Sequence, residues 1–140
     1  MDMSAINWFA VITAVLLGFL VGFLWYGPLF GKQWMLSVGL DEEKIQKHSN
    51  MAKIFGVSLI LQFIMALFLA IFFFGDPAAA DLVTASSGAF YGFLTGFGWV
   101  AAAIGVNAMF EQRSFTYVGI VGGYWVVTFT LMGLVLGAWR

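Results

Sequence analysis

Long apolar stretches alternate with short polar ones along the chain. Four runs, Ile6–Tyr26, Ile54–Phe74, Leu82–Phe110 and Tyr117–Trp139, contain no Asp, Glu, Lys or Arg. Each reaches the ~18–20 residues that a helix rising 1.5 Å per residue needs to cross about 30 Å of hydrocarbon. Lipid offers backbone N–H and C=O groups no partner, so a spanning segment must be a helix or a strand of a closed barrel. Barrel strands are ~9–11 residues of alternating hydrophobicity, whereas these runs are about twice as long and do not alternate. The pattern predicts an all-α membrane protein, a four-transmembrane-helix bundle with residues 1–140 as one integral membrane domain.

The polar connections refine this picture. WYGPLFGKQW at 25–34 follows the first run. Gly27 is suited to a left-handed helix end, and Pro28 cannot continue a helix. Trp25, Tyr26 and Trp34 suit the headgroup level, and Lys32 can snorkel to it. Leu29, Phe30, Met35, Leu36 and Val38 make the next stretch apolar enough to lie in the interface. In DEEKIQKHSNMAK at 41–53, Asp41 is an expected N-cap. Glu42 and Glu43 oppose the helix dipole, and Glu43 and Lys47 are spaced to pair. A short cytoplasmic amphipathic helix between spans one and two is therefore expected, running into the second span. Gly75-Asp76-Pro77 should stop that span, with Asp81 capping a long third one. The stretch GFLVGFLWY at 18–26 resembles GFLTGFGWV at 92–100, identical at six of nine positions. Spans one and three run the same way, so a duplicated hairpin would form a parallel repeat.

Charge sets the expected orientation. Lys32, Lys44, Lys47, Lys53 and Arg113 fall on one side, Arg140 alone on the other. The positive-inside rule places the first and third connections in the cytoplasm and both termini outside. The N-terminal MDMSAINWF carries an acid and no Lys or Arg, so no cleaved signal peptide is expected.

Composition narrows the chemistry. Hydrophobic residues make up 62% and charged residues 9% of the chain, against roughly 25% charged in soluble domains. The net charge of −1 argues against a nucleic-acid partner, and no cysteine is present to form disulfides or thiolate metal sites. Membrane lipids are the expected surroundings. No carboxylate, Lys or His lies within a run, so a proton relay has no evident carrier. His48, the only histidine, has no ligand cluster around it. Ser86 and Ser87 belong to the opposite side from His48, so a Ser–His pair would have to cross the membrane. No catalytic, cofactor or metal site is expected.

What remains is packing chemistry. Gly88, Gly92 and Gly96 repeat every four residues on span three, as do Gly18 and Gly22 on span one. Span four carries the pairs Gly119/Gly123 and Gly133/Gly137. Such spacing lets helix backbones approach closely where lipid supplies no hydrophobic drive. Packing within the bundle is expected, with a seam between copies as the alternative. Gln62, near the middle of span two, needs an interhelical partner; it is expected to hold spans together, with a polar pathway shared with Thr95, Tyr91, Thr128 or Tyr124 as the alternative. Arg113 is placed to pair with an acid at 41–43.

WYGPLFGKQW after a first span, a polar helix before the second and FEQRS closing the third resemble a bacterial family of small four-span membrane proteins of unknown function. The resemblance covers nearly the whole chain. It implies an inner-membrane bundle and supplies no activity. It also groups Trp25, Tyr26, Pro28, Lys32 and Trp34 with Asn107, Glu111 and Arg113 as a candidate cluster on the cytoplasmic face. The reading is a non-enzymatic inner-membrane protein acting through helix packing, as a homo-oligomer or with another membrane protein. A small transporter or pore for an uncharged or amphipathic solute is the alternative.

Overall fold

The structure, a computed structural model, describes residues 3–139; Arg140, used above in the charge count, lies outside the described residues. Four helical stretches are long and apolar enough to cross a membrane: Trp8–Leu29, Met51–Phe74, Ala85–Phe110 and Phe115–Ala138. The chain is thus an all-α, four-span, multi-pass membrane protein.

Span one is helix α1 (Trp8–Leu24) and a π-helical turn, Trp25–Leu29. Asn7 caps its start by accepting from the amides of Phe9 and Ala10. The helix does not end at Tyr26, and Gly27 is not left-handed; Gly39 is the one described glycine with positive φ. Pro28 has no N–H to donate to Leu24, and the chain widens around it. The Phe30 amide reaches back five residues to the Trp25 carbonyl at 2.8 Å. A second π-helical turn, Gly96–Ala101, interrupts the third span. Both copies of the repeated nine-residue stretch therefore run into a widened turn.

The interfacial segment forms two helices, α2 (Gly31–Val38) and α3 (Glu42–His48). Gly39 at φ 70° lets the chain turn back sharply between them. Asp41 caps α3 through the Lys44 amide, and Lys47 pairs with Glu43. This helix does not run into the second span. Ser49 is extended, and Asn50 caps a new helix, α4 (Met51–Phe74), through the Lys53 amide.

After the one-turn helix α5 (Pro77–Ala80), the third span starts at Ala85 rather than Leu82. Its cap is Thr84, not Asp81. Thr84 accepts from the Ser87 amide while the Ser87 hydroxyl accepts from the Thr84 amide, a reciprocal box. Asp81 instead ends α5. Helices α6 (Ala85–Thr95) and α7 (Ala102–Phe110) flank the π turn, and α8 (Phe115–Ala138) is the fourth span.

Helix α8 is the hub: α1, α4, α6, α7 and α2 all pack on it. Its four-residue rows divide the work. Tyr124, Thr128, Met132 and Leu136 are buried in one row facing α1 and α4. Phe129, Gly133 and Gly137 form the adjacent row facing α6. Helix α1 offers Val11, Ala14 and Gly18, and α4 offers Gln62, Ala66, Ala70 and Phe73. The ends of α1 and α8 are tied where Asn7 Nδ2 donates to the Trp139 carbonyl at 3.3 Å.

Candidate functional site

Three local arrangements carry the polar and small residues. The first is the α6–α8 seam. A Cβ at Gly88 would fall on the Gly133 carbonyl oxygen, and one at Gly133 on that of Gly88. At Gly92 it would fall on the Phe129 carbonyl, and at Gly137 on that of Thr84. At Gly96 it would lie 2.9 Å from the Val126 Cα. Each obstruction is backbone, which no rotamer change can clear. The ladder on span three therefore faces span four of the same chain.

The second arrangement is a hydrogen-bonded knot where α1, α4 and α8 meet. Gln62 Nε2 donates to the Tyr124 hydroxyl at 3.1 Å, and that hydroxyl donates to the Gly18 carbonyl at 3.1 Å. One phenol thus joins three spans. Gly18 lacks a side chain because the Gln62 amide carbonyl occupies its place; Thr128 and Met132 press on the same spot. Gly22 borders the Tyr124 ring more loosely: a hypothetical Cβ would stand 3.4 Å from the hydroxyl, an ordinary contact. Gln62 Oε1 and Thr128 Oγ1 are buried beside this knot without hydrogen-bond partners. Of the four residues grouped with Gln62 in the alternative polar pathway, Tyr124 alone bonds to it. Thr95 instead donates to the Tyr91 carbonyl on its own helix, and Tyr91 is exposed against Phe73.

The third arrangement is the corner at the basic end. Trp25 Nε1 donates to the Ile120 carbonyl at 2.8 Å, and its ring lies over Gly123, 3.1 Å from where a Cβ would stand. The Tyr26 ring lies 5.3 Å from those of both Tyr124 and Trp34. The corner is thereby stitched to the knot through aromatic contacts, while Pro28 is exposed on the π turn.

The remaining members of the expected cluster have other surroundings. Asn107 lies in the last turn of α7, and Glu111 and Arg113 in the turn that joins α7 to α8. There the Glu111 amide bonds the Asn107 carbonyl and the Arg113 amide that of Ala108. Arg113 does not pair with an acid at 41–43. Its guanidinium sits 3.6 Å from Glu111 and lies over the Tyr117 ring at 5.5 Å. Lys32 instead borders a hollow with Asp41 and Glu42. His48 ends α3, at the opposite end of the bundle from Ser86 and Ser87. Among the described residues no three metal-ligating side chains come together.

Sequence reasoning named Tyr124 only as one partner among several, although it is the centre of the knot. A tyrosine directly after Gly122-Gly123 and four residues before Thr128, in the middle of a charge-free span, was the available signal.

A multi-pass bundle closed by glycine contacts and a single three-span knot is the class of protein this fold defines. The chain belongs to DUF1761, a family described as protein of unknown function, whose model matches residues 9–137. Comparison with curated proteins and with solved structures gives no match.

Proposed function

We propose that this protein is a non-enzymatic component of the bacterial inner membrane. It works by helix association, first with further copies of itself, through the half of α4 nearest the lysines. The observation that carries this reading is how little that half packs on its own chain. Across residues 51–61 only Ser58 is half-buried and every other residue is exposed. Gly56, at the centre, has nothing within 4 Å of where its Cβ would be. The glycine rows on spans one and three, by contrast, are closed by α4 and α8 of the same chain. An open glycine on an apolar helix admits the close backbone approach that drives association in lipid.

The non-enzymatic part of the reading rests on the spans' polar groups. Gln62 Nε2, Tyr124, Trp25, Thr95 and Thr130 bond to one another or to backbone carbonyls. The buried oxygens left over, Gln62 Oε1 and Thr128 Oγ1, have no carboxylate, Lys or His in the four apolar runs to act as a base. The proposed orientation, both termini outside, rests on Lys32, Lys44, Lys47, Lys53 and Arg113 lying at one end of the bundle, with Asp76 and Asp81 at the other.

The chain has no cysteine, so single cysteines report cleanly. Gly56→Cys and Ile60→Cys, oxidised in native membranes, should give disulfide-linked dimers. Phe90→Cys, on an exposed residue of α6 whose neighbouring glycines Gly88 and Gly92 are closed on α8, should not. Crosslinks to a second protein at Gly56 would replace the copy with a foreign partner. Monomer at every α4 position, with selective solute flux from proteoliposomes, would put the transporter reading first.

A further inference from the structure

A hollow of about 350 Å³ lies between α2 and α3, lined by Lys32, Met35, Leu36, Leu40, Asp41 and Glu42. The sharp turn at Gly39 creates it by bringing the start of α3 back beside α2. Its floor is apolar, and Leu36 is 82% exposed. Its rim carries both signs of charge. Asp41 is already engaged: Oδ1 caps the Lys44 amide at 2.7 Å, and Oδ2 lies 3.7 Å from Lys44 Nζ. Lys32 and Glu42 are the lining charges left without an ion pair among the described residues. Next to the hollow, Tyr26 and Trp34 pack edge to face at the end of span one, where aromatic rings mark the headgroup level.

We propose that this hollow binds the headgroup of one phospholipid bearing a primary ammonium, with Lys32 on the phosphate, Glu42 on the ammonium and the lipid's apolar portion over Met35, Leu36 and Leu40. The charge pattern selects this occupant. An anionic lipid without an amine would satisfy Lys32 and leave Glu42 repelled. A quaternary choline headgroup carries the same charges but has no N–H to donate to the carboxylate. A zwitterion with a primary ammonium matches both groups and leaves the site neutral. The apolar floor, open to water in the absence of a lipid, is covered when the headgroup is seated. The site is separate from the α4 surface and does not depend on self-association.

The test is native mass spectrometry of the full chain released from nanodiscs containing equal phosphatidylethanolamine, phosphatidylcholine and phosphatidylglycerol. The wild type should retain one phosphatidylethanolamine about two- to fivefold above phosphatidylglycerol, the range set by one exposed charge pair, and measurably above phosphatidylcholine, which lacks only the N–H donor. Glu42→Ala, which removes the acceptor along with the charge, should abolish the preference over phosphatidylcholine, and Lys32→Gln should lower retention of both zwitterionic lipids. Both side chains are exposed, and thermal unfolding run in parallel should show the variants folded. Preferential retention of phosphatidylglycerol would mean that Lys32 acts alone and would overturn the proposal. So would equal retention of all three lipids, or a phosphatidylethanolamine preference that survives Glu42→Ala.

Discussion

Gly92→Ala adds one methyl group at the tightest point of the α6–α8 seam. That Cβ would overlap the Phe129 carbonyl oxygen and lie 2.9 Å from its carbon and 3.2 Å from the Thr130 Cα. All three atoms are backbone, so relief requires the helices to separate. A separation on the order of 1 Å forfeits a quarter to a half of each ~0.1–0.2 kcal/mol atom pair. Several tens of pairs lie along a seam built from Gly88, Gly92, Gly96, Gly133 and Gly137. The loss is then about 2–4 kcal/mol, the upper range of overpacking effects. The assay is reversible unfolding in mixed micelles, followed by near-ultraviolet circular dichroism, with Gly98→Ala beside it. Gly98 has nothing within 4 Å of its Cβ position, so that variant should match the wild type. A Gly92→Ala monomer as stable as the wild type, but with its intermolecular crosslinks lost, would show that the ladder joins two copies and that the in-chain seam is wrong.

Four further outcomes follow, three from contacts within the bundle and one from the distribution of charge. Tyr124→Phe removes the donor to the Gly18 carbonyl and the acceptor for Gln62 in one step, so it should destabilise the bundle by roughly 1–3 kcal/mol in the same unfolding assay. Gln62→Leu should cost less, because Tyr124 keeps its bond to Gly18 and a buried unpaired oxygen disappears. Thr84→Ala should lower stability by about 0.5–2 kcal/mol through loss of the cap on α6, whereas Asp81→Ala should leave thermal unfolding unchanged. In spheroplasts, Ala79→Cys should react with an impermeant thiol reagent and Gln46→Cys only after lysis; the reverse pattern would invert the orientation and leave the fold intact.

The spans were readable in the sequence because each apolar run is far longer than any buried strand and carries no charge. Their ends were readable only in part. Asn7, Asn50, Thr84 and Ser114 set four helix starts through side-chain-to-amide bonds. Short polar residues at the edge of an apolar run do not say which of them will take that role, and so Asp81 looked as suitable as Thr84. The π turn at Trp25–Leu29 was hidden for a different reason. Proline announces a disturbance, but whether the helix stops or widens depends on what holds the next turn. Here Trp25 is held by the Ile120 carbonyl, 95 residues away. Glycine spacing marked faces without pairing them, because spans one, three and four carry the same four-residue repeat. Which row meets which is settled by packing on α8. The hollow at Lys32 escaped notice because its two rims are joined only by the turn at Gly39. The split of Lys32 from Arg113 has the same origin, since neighbouring charges at one membrane surface need not share a site.

The central claim is that the glycine ladder closes within the chain while the open half of α4 joins copies. Counting subunits in native nanodiscs by single-molecule photobleaching tests it most directly, comparing the wild type with Gly56→Ile. A Cβ at Gly56 meets nothing within 4 Å, so each chain should keep its fold, which unfolding of the separated chains checks. The account predicts two or more subunits per wild-type particle and single folded chains for Gly56→Ile. A wild type that is already a single chain, or a Gly56→Ile protein with an unchanged subunit count, would contradict it.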